Sequence, residues 1–530
     1  MTRLQFILAA SAFLWVNLAI AQAVPQPTFT VRATSAPPYS ATGELFILQT
    51  DTNTTALVNP VLVVEGFDIG NSMDWPELYD LLNKENLVTD LQSYGRDLIV
   101  LNFGDSTADI LANSALTEAA VNYVNSHRSN PSDKFTAIGA SLGGLTLRKA
   151  LVGLPYHDVN TWISFDAPHE GANLPLGVQE FFEYFSTVNL PTFDPIREFL
   201  LSLDTPAARQ MLLVHHSHSP DAPAGASAPE RQEFVNTMTA AGYPANCKTI
   251  AISNGSGYGE KLPFNPGDLM LHWEYNGGGF LDPNIDADIY ALPQSDNAAS
   301  TVFYGDFDAF LFGRPEKTVN TYHPLSLDNA PGGYRTTFFQ IFTNLPPDYI
   351  DGDDYIASTN HCFIPTVSAL GIPIENIESN LASHAELTAL SPFDEIHYAV
   401  NNEEHVEINA RNKRWIMRAV LEDHDSDGDG FDDYQEFLLG TAYDDADSTL
   451  TVYAVIEVHL VDGTAALSWN AYPNTQYAVR FTEALDEPWL PLETIPPTSE
   501  PDITREYLLE SEALSGFFQI IATPVDPVTD

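Results

Sequence analysis

A serine flanked by glycines stands where a run of apolar residues gives way to a helical pattern. It is Ser141, at the centre of a G-x-S-x-G pattern at residues 139–143. A strand that turns this sharply into a helix holds its central residue in a strained conformation, and larger side chains beside it would clash. The pattern therefore predicts a serine nucleophile that attacks a carbonyl carbon. A tight turn with no chemical role is the alternative.

Attack on a carbonyl requires hydrogen-bond donors for the oxygen that becomes negative. The backbone N–H of Leu142 would lie at the N-terminus of the predicted helix and supply one donor. The loop after the earlier apolar run 61–64 would supply the other, and we assign it to Phe67. In the alternative interpretation, Gly66 only turns the chain at this point.

A second segment has the residue types of a metal site. The twelve residues 425–436 place oxygen-bearing side chains at positions 1, 3, 5, 9 and 12, and Gly430 at position 6. This spacing is typical of a calcium-binding loop, in which alternate residues point inward and the glycine permits a sharp turn. A solvated acidic linker without metal is the alternative. The predicted ligands are Asp425, Asp427, Asp429, the carbonyl of Phe431, Asp433 and Glu436.

The elements that would position these residues follow from the hydrophobic pattern. Short apolar runs alternate with amphipathic stretches between Pro60 and about Asp166, a pattern typical of a parallel sheet with crossover helices. We therefore expect an α/β domain with helices on both faces of the sheet. The predicted strands in this region are residues 61–64, 98–101, 135–138 and 162–165.

The rest of the chain divides by composition. Within an α/β domain over residues 24–420, we expect a helical lid at about 173–240, which is rich in Phe, Leu and Pro, and a β-rich antiparallel insertion at about 256–350. Residues 421–449 would form the calcium loop and a linker. Short alternating runs with aromatic residues in 450–530 predict a small all-β module of the sandwich type.

The N-terminus has the order of a secretory signal peptide. Arg3 precedes an apolar run, residues 4–20, that ends in small residues. The run is shorter than a membrane span requires, so we expect residues 1–23 to be removed and the mature chain to be secreted, without a transmembrane segment. A membrane anchor is the alternative. In an oxidising compartment, Cys247 and Cys362 would form one disulfide or remain two thiols.

The charge of the chain excludes some partners. Its 530 residues include 72 acidic and 22 basic ones, a formal net charge of -50. A surface of this sign repels nucleic acids and anionic membranes, so we expect neither as a partner. Residues 421–530 contain 24 acidic and 2 basic residues. A large share of the excess therefore lies in the calcium loop and the region after it.

The segment around Ser141, together with an A-P-H-x-G stretch at residues 167–171, resembles the bacterial lipase and esterase branch of the α/β-hydrolases. The resemblance covers roughly residues 60–410. It implies an α/β-hydrolase sheet, a helical lid after the A-P-H-x-G stretch and hydrolysis of esters. Lipases of this type commonly have His-Gly at the oxyanion loop, whereas this chain has Glu65-Gly66.

The same resemblance implies the partners of the serine. His405 stands where the last-strand loop of the family supplies the catalytic base, and a histidine after the serine fits the order of such triads. His361 occupies the position at which related lipases usually have the acid, so we choose Asp166, at the end of the strand that follows Ser141. The further candidates for the acid are Asp394, Asp353 and Asp354.

The remaining histidines are assigned structural roles. His169 belongs to the A-P-H stretch, and the family uses this position for packing beneath the site. A cluster of His215, His216 and His218 is expected to form an exposed polar hinge at the end of the lid, with a metal site as the alternative.

Taken together, these features predict a secreted serine carboxylic-ester hydrolase of the carboxylesterase or triacylglycerol lipase type. It would act on an ester or lipid through an acyl-enzyme on Ser141, without a catalytic cofactor, and Ca²⁺ would stabilise it. Aspartates after the loop, at 444, 445 and 447, resemble extracellular thrombospondin-type calcium repeats. One alternative is an extracellular binding or adhesion protein with a non-catalytic core, whose C-terminal module attaches to a surface or polymer. The other is a serine peptidase or amidase on the same fold.

Overall fold

A computed structural model describes most of the chain after residue 23. The predicted signal peptide, Asp353 and Asp447 lie outside the described residues. The described residues are 24–68, 73–188, 194–218, 226–277, 283–295, 299–309, 313–344, 350, 354–378, 384–446, 448, 454–459, 464–471, 475–482, 490–497, 503–509 and 517–524.

A mostly parallel sheet of eight strands forms the centre of the structure. The strands are β1 Phe29–Thr34, β2 Thr42–Leu48, β3 Val61–Val64, β4 Leu98–Phe103, β5 Phe135–Ala140, β6 Val159–Phe165, β7 Lys248–Ser256 and β15 Glu395–Ala399. Their order across the sheet is β1-β2-β4-β3-β5-β6-β7-β15. The first two strands pair antiparallel, β2 also pairs antiparallel with β4, and the six strands from β4 onward are parallel to one another.

Both faces of this sheet are covered, which explains why its central strands are continuously apolar. Alternate residues of a strand point to opposite faces, and β3 shows this directly. Leu62 and Val64 belong to one hydrophobic core, whereas Val61 and Val63 belong to a second core on the other face. All four side chains are buried. The site described below lies at the carboxyl ends of these strands.

Helices lie on both faces of this sheet and in the insertions between its strands. They are α1 Trp75–Leu82, α2 Leu87–Ser93, α3 Ile110–His127, α4 Leu142–Gly153, α5 Leu176–Ser186, α6 Asp194–Leu203, α7 Pro206–Met211, α8 Pro229–Ala241, α9 Thr337–Asn344, α10 Thr366–Ala369, α11 His384–Leu390, α12 Ala410–Leu421 and α13 Asp433–Leu439. The local sequence determines the residue at which several helices begin. Asp74, Asn409 and Asp432 each cap a helix with the side chain and form a capping box with the third helical residue.

Two insertions lie between β6 and β15. Helices α5 to α8 fall within the segment predicted as a lid. The second insertion contains a five-stranded antiparallel sheet and a two-stranded pair. Phe181 of α5 packs against Trp273 and Phe303 of the antiparallel sheet, with ring centroids 6.0 Å and 6.5 Å away. The strands are β8 Leu269–Asn276, β9 Asn284–Tyr290, β10 Ser300–Asp308, β11 Arg314–Thr321, β12 Gly332–Arg335, β13 Tyr355–Ile356 and β14 His361–Pro365.

The described residues of the C-terminal region form six strands in two three-stranded antiparallel sheets. Trp469 and Tyr477 are buried, with ring centroids 5.7 Å apart. These aromatic side chains therefore pack into a small core. The strands are β16 Ala454–His459, β17 Thr464–Ala471, β18 Thr475–Thr482, β19 Leu490–Ile495, β20 Ile503–Leu509 and β21 Phe517–Pro524. Their orders in the two sheets are β16-β17-β20 and β19-β18-β21.

Two further expectations concern cysteines and membranes. Cys247 and Cys362 are both free thiols, so the alternative of a disulfide between them is excluded in this structure. Cys362 is fully buried and Cys247 half-buried.

Among the described residues, no helix has the length and apolar character needed to cross a membrane.

Candidate active site

Ser141 occupies the sharp turn between β5 and α4. Its backbone has φ 52° and ψ -123°, a region that residues with a side chain rarely adopt. The turn is closed by Gly143, where a Cβ would lie only 2.3 Å from the carbonyl oxygen of Val64. The residues of the G-x-S-x-G pattern are therefore those that allow α4 to start directly against β3. Ser141 is 6% exposed.

His405 and Asp166 form a hydrogen-bonded line with this serine. His405 Nε2 lies 2.9 Å from Ser141 Oγ, and His405 Nδ1 lies 2.6 Å from Asp166 Oδ2. The line is consistent with a neutral imidazole that donates from Nδ1 and accepts the serine O–H at Nε2. The histidine is 2% exposed and the aspartate is fully buried.

The three side chains come from distant parts of the chain, and backbone contacts place each of them. Asp166 directly follows β6, where its N–H donates to the carbonyl of Ile252 on β7. Its second oxygen, Oδ1, accepts from the N–H of Asn254 at 3.1 Å. His405 follows β15, and its N–H donates to the carbonyl of Tyr334 on β12. The carboxyl ends of the parallel strands β6 and β15, which lie on either side of β7, thus bring the acid and the base together.

The surroundings favour the neutral form of His405. Burial is the main cause that lowers its pKa below the ordinary value, Asp166 acts in the opposite direction, and the charge of Arg335 lowers the pKa further. The ring of Phe363 lies edge-on to the imidazole, with centroids 5.0 Å apart. A buried neutral imidazole beside a serine hydroxyl can accept its proton at neutral pH.

The two predicted oxyanion donors are close to the serine. Leu142 is the first residue of α4, so its N–H has no partner within the helix. The Glu65-Gly66-Phe67 loop runs beside it, since a Cβ on Gly66 would lie 3.0 Å from Ser141 Cβ. Phe67 is half-buried and lines cavities on both sides of Ser141. The N–H of Leu142 and the N–H of Phe67 in the adjacent loop therefore stay the predicted donors for a developing oxyanion.

Two cavities meet at Ser141 and His405. The first has a volume of about 270 Å³ and extends between the sheet and helices α1, α2 and α12. The second has a volume of about 320 Å³ and extends under α6 and α7. Apolar side chains line most of both, and Phe67 and Arg335 stand at the junction. Lining residues of the first include Leu78, Leu87, Leu91, Val100 and Ile416; those of the second include Phe199, Leu203, Met211, Leu212 and Phe363.

The predicted calcium loop lies between α12 and α13. Carboxylate oxygens of Asp425, Asp427 and Asp429 lie within 4.8 Å of one another. Glu436 is buried on α13, and burial together with repulsion from Asp427 raises the pKa of its carboxyl to about 7. One oxygen each of Asp427 and Glu436 is buried without a hydrogen-bond partner among the described residues. Gly428 and Gly430 have positive φ, which permits the tight loop.

Asp433 has different partners from those predicted for a metal ligand. It is the first residue of α13, and its Oδ2 lies 2.6 Å from the guanidinium of Arg96 in a fully buried ion pair. Its two oxygens also accept from the N–H and hydroxyl of Ser426. The position in the first helical turn directs this carboxylate to Arg96 and away from the three clustered aspartates. Phe431 lies in the loop, where its N–H donates to Asp429.

The other candidates for the acid lie elsewhere. Asp394 accepts hydrogen bonds from the N–H and hydroxyl of Thr249 at the start of β7, which is the end of that strand remote from Ser141. Asp354 accepts from the N–H of Glu274 in the antiparallel sheet. His361 is buried and bonded to Thr337. Of the described candidates, Asp166 alone contacts His405.

The remaining histidines differ from expectation in one respect. His169 is buried and bonded to Ser164 at 2.7 Å, as a structural residue would be. The cluster of His215 and His216 was expected to be exposed, but both rings are buried beside Asp204. His215 Nε2 is 3.0 Å from the carbonyl of Leu203, and Nδ1 is bonded to a serine hydroxyl. Ligand atoms of Asp204, His215 and His216 lie within 4.8 Å of one another, so the alternative of a metal site at this cluster stays open.

No protein-family model matches this chain, and no curated protein matches it. Parts of it are similar to solved structures. The mature lipase BlEst2 from Bacillus licheniformis has 13% identity and a TM-score of 0.24 over 44% of this chain and 74% of that one. Aspergillus fumigatus lipase B has 17% identity and a TM-score of 0.24 over 37% of each chain. Prolyl oligopeptidase B from Galerina marginata has 12% identity and a TM-score of 0.26, over 42% and 27%. Likenesses at this level of identity and TM-score do not indicate a function.

Proposed function

We propose that this protein is a secreted serine ester hydrolase that acts through an acyl-enzyme on Ser141. The observation that supports the proposal best is the buried line from Ser141 through His405 to Asp166, with separations of 2.9 Å and 2.6 Å. A serine, a neutral imidazole and a carboxylate in this order form an activated nucleophile. The strained backbone of Ser141 presents its hydroxyl at the junction of the two cavities.

In the proposed reaction, Ser141 Oγ attacks the ester carbonyl carbon while His405 Nε2 takes the hydroxyl proton. The carbonyl π bond opens, and the N–H groups of Leu142 and Phe67 bind the oxygen that becomes negative. Asp166 holds the imidazole in place and stabilises its positive charge. The C–O bond to the alcohol then breaks as His405 returns its proton to the leaving oxygen. Water repeats these steps on the acyl-enzyme, which releases the acid and free Ser141.

The cavities support an ester with an apolar group on each side of the carbonyl. Each is mostly apolar and opens at the nucleophile, so an acyl chain in one and an alcohol group in the other would both lose contact with water. Lipids and other hydrophobic esters fit this description. A carboxylesterase or lipase activity is therefore our proposal, with peptidase or amidase activity as an outcome of the test.

The loop at residues 425–436 supports a structural calcium ion. Its donors are carboxylate oxygens, which Ca²⁺ prefers, and the unpartnered oxygens of Asp427 and Glu436 are the kind of group that an ion would satisfy. The residues that would hold it are Asp425, Asp427, Asp429, Phe431 through its carbonyl, and Glu436. When bound, the ion would neutralise the repulsion between these carboxylates. Its place between α12 and α13 suits a structural role.

The proposal of export rests on the sequence of residues 1–23 alone.

The activity is tested by the hydrolysis of p-nitrophenyl butyrate and p-nitrophenyl dodecanoate, with p-nitroanilide amides of the same acids in parallel. We expect the native chain to hydrolyse the esters, and we expect no ester hydrolysis above background by the Ser141→Ala variant. Retained ester hydrolysis in that variant would contradict it. If the native chain cleaved the amides in preference to the esters, the activity assigned to Ser141 would be that of an amidase.

A further inference from the structure

Glu65 is a buried carboxyl group beside the nucleophile that the proposed reaction does not use. It directly follows β3 and precedes Gly66 and Phe67, and it is 5% exposed. It lines the 270 Å³ cavity together with Ser141 and His405. An ionisable group buried at this place needs an explanation, because a charge there would act directly on the reaction.

The side chain of Glu65 completes the hydrogen bonding at the end of the sheet. The N–H of Glu65 donates to the carbonyl of Leu101 on β4 at 3.3 Å. In a parallel ladder the next bond would run from the N–H of Phe103 to the backbone carbonyl of Glu65. That carbonyl instead faces α4, where it lies 2.5 Å from the position of a Cβ on Gly143. The N–H of Phe103 donates to Glu65 Oε1.

The other oxygen of this carboxyl, Oε2, is buried without a hydrogen-bond partner among the described residues. A carboxylate with one unpartnered oxygen is far more costly to bury than a neutral carboxylic acid. Accordingly, burial raises the pKa of Glu65 to about 8, the hydrogen bond from Phe103 opposes this effect, and the charge of Asp68 adds to it. At neutral pH the group is therefore a neutral acid.

The charged groups around Glu65 come from several elements. Asp68 lies in the same loop, His405 and Glu404 in the loop after β15, and Arg335 on β12, and these residues except Asp68 line the cavity with it. Lys84 and Glu407, which pair with each other at 3.2 Å, lie at the cavity as well. No ion pair of Glu65 exists among the described residues, so no neighbouring cation holds the carboxyl in its charged form.

Resting on the proposed ester hydrolysis, we infer that Glu65 is a positioning residue that works in its neutral form. Its carboxyl holds the loop that presents the Phe67 N–H against the end of β4. Its ionisation places a negative charge beside the carbonyl oxygen of the substrate at the moment when that oxygen becomes negative. The charge destabilises the tetrahedral intermediate, so the enzyme loses activity as the pH rises through the range in which Glu65 ionises.

The test is the pH dependence of kcat/KM for ethyl butyrate, followed by pH-stat between pH 6 and pH 10. We expect kcat/KM of the native chain to fall at least about tenfold above roughly pH 8. Glu65→Gln keeps the acceptor for Phe103 and cannot ionise, so it should retain neutral activity within a few-fold and lose the alkaline fall. If kcat/KM of the Glu65→Gln variant fell above pH 8 as it does in the native chain, the inference would be overturned.

Two further variants make the result specific. Asp68→Asn removes a negative charge that favours the protonated acid, so the alkaline fall should move to lower pH; a fall that stays in place or moves to higher pH would contradict the inference. Glu118→Gln removes another carboxyl group, on α3 and far from the site, and burial raises the pKa of this group as well. This variant should keep the native pH profile. A changed profile in that control would assign the effect to general changes in charge.

Labelling with a fluorophosphonate at pH 7 separates this inference from the proposed function. A native chain that neither labels at Ser141 nor hydrolyses esters would contradict the proposed function. A native chain that labels and hydrolyses, with an alkaline fall unchanged in Glu65→Gln, would contradict only the role of Glu65. Thermal unfolding of each variant at pH 7 and pH 9.5 shows whether an activity change reflects loss of the fold.

Discussion

Ser141 owes its position to the absence of a side chain at Gly143. Because a Cβ there would approach the carbonyl oxygen of Val64 to 2.3 Å, Gly143→Ala should push α4 away from β3 and misalign the serine. We expect ester hydrolysis to fall by about 100-fold or more and the midpoint of thermal unfolding to decrease. The measurement is kcat/KM with a butyrate ester. An alanine variant with native activity would show that the turn tolerates displacement.

The pairing of His405 with Asp166 predicts a shift of the acidic limb of the pH profile. The neutral imidazole is the active form, and burial lowers its pKa, so kcat/KM should fall only below about pH 6.5. Asp166 favours the protonated imidazolium; Asp166→Asn removes that support, so the acidic limb should move to still lower pH. The rate itself should fall by about 10⁴-fold because the tautomer is no longer held.

Asp394→Asn is the matched control for this change. Its carboxylate bonds to Thr249 and does not contact the imidazole, so the acidic limb should stay where it is in the native chain. A larger effect of Asp394→Asn than of Asp166→Asn would contradict the assignment of the acid.

Single residues were predictable from sequence where local geometry dictates them. The glycines around Ser141 mark a turn that only small residues permit, and this signal is local. The pairing of Asp166 with His405 spans 239 residues of sequence, so it required the family resemblance. Glu65 has no local signal at all, because its burial depends on where β4 ends beside it. The burial of His215 and His216 was missed because the contacts that cover them come from outside the cluster.

The calcium loop gives a prediction at the scale of elements. An ion that binds only the folded state stabilises it by about 2.7 kcal/mol at a free concentration of 100 times Kd. Removing Ca²⁺ with a chelator should therefore lower the midpoint of thermal unfolding by several degrees, and the double variant Asp427→Asn, Glu436→Gln should not respond to the chelator. Calorimetry with and without added calcium measures both.

A matched control for the loop is Asp308→Asn, which removes one exposed carboxylate on β10 of the antiparallel sheet. This variant should keep the native response to the chelator. Equal responses of the native chain and the double variant would show that the stabilising ion, if any, binds elsewhere. Ester hydrolysis should persist after chelation at temperatures where the chain stays folded, since no step of the reaction uses the ion.

Elements were predictable where their pattern is strong. The four predicted strands of the parallel sheet match β3, β4, β5 and β6 to within two residues at each end, except that β6 starts three residues earlier. Asp433 illustrates the opposite case. The twelve-residue spacing indicates a ligand there, but α13 begins at this residue and turns its carboxylate to Arg96, 337 residues away in sequence. A loop pattern contains no information about such a distant partner.

At the scale of the whole molecule, the net charge of -50 should act on charged substrates. Like charges repel over a distance that salt shortens from about 30 Å at 0.01 M to about 8 Å at 0.15 M. Raising the salt concentration should therefore increase kcat/KM several-fold for an ester that contains a carboxylate and leave a neutral ester of similar size unchanged. Equal responses of the two substrates would contradict steering by the overall charge.

Composition predicts those properties of the whole molecule that are sums over its residues. The excess of acidic residues led us to expect neither nucleic acids nor anionic membranes as partners and indicated the acidic loop, since charge is a sum over the sequence. The meeting of two cavities at Ser141 could not be read in advance, because their walls come from helices α1, α2 and α12 on one side and α6 and α7 on the other.

The central claim is that Ser141 is a nucleophile activated by His405. Its most direct test is intact-mass analysis of the chain after reaction with a fluorophosphonate, followed by peptide mapping. We predict one covalent adduct, on Ser141, in the native chain and in Ser129→Ala, which removes an exposed serine remote from the site. We predict no adduct in Ser141→Ala and a strongly slowed reaction in His405→Ala. An adduct on another serine, or labelling of Ser141 at the native rate without His405, would contradict the account.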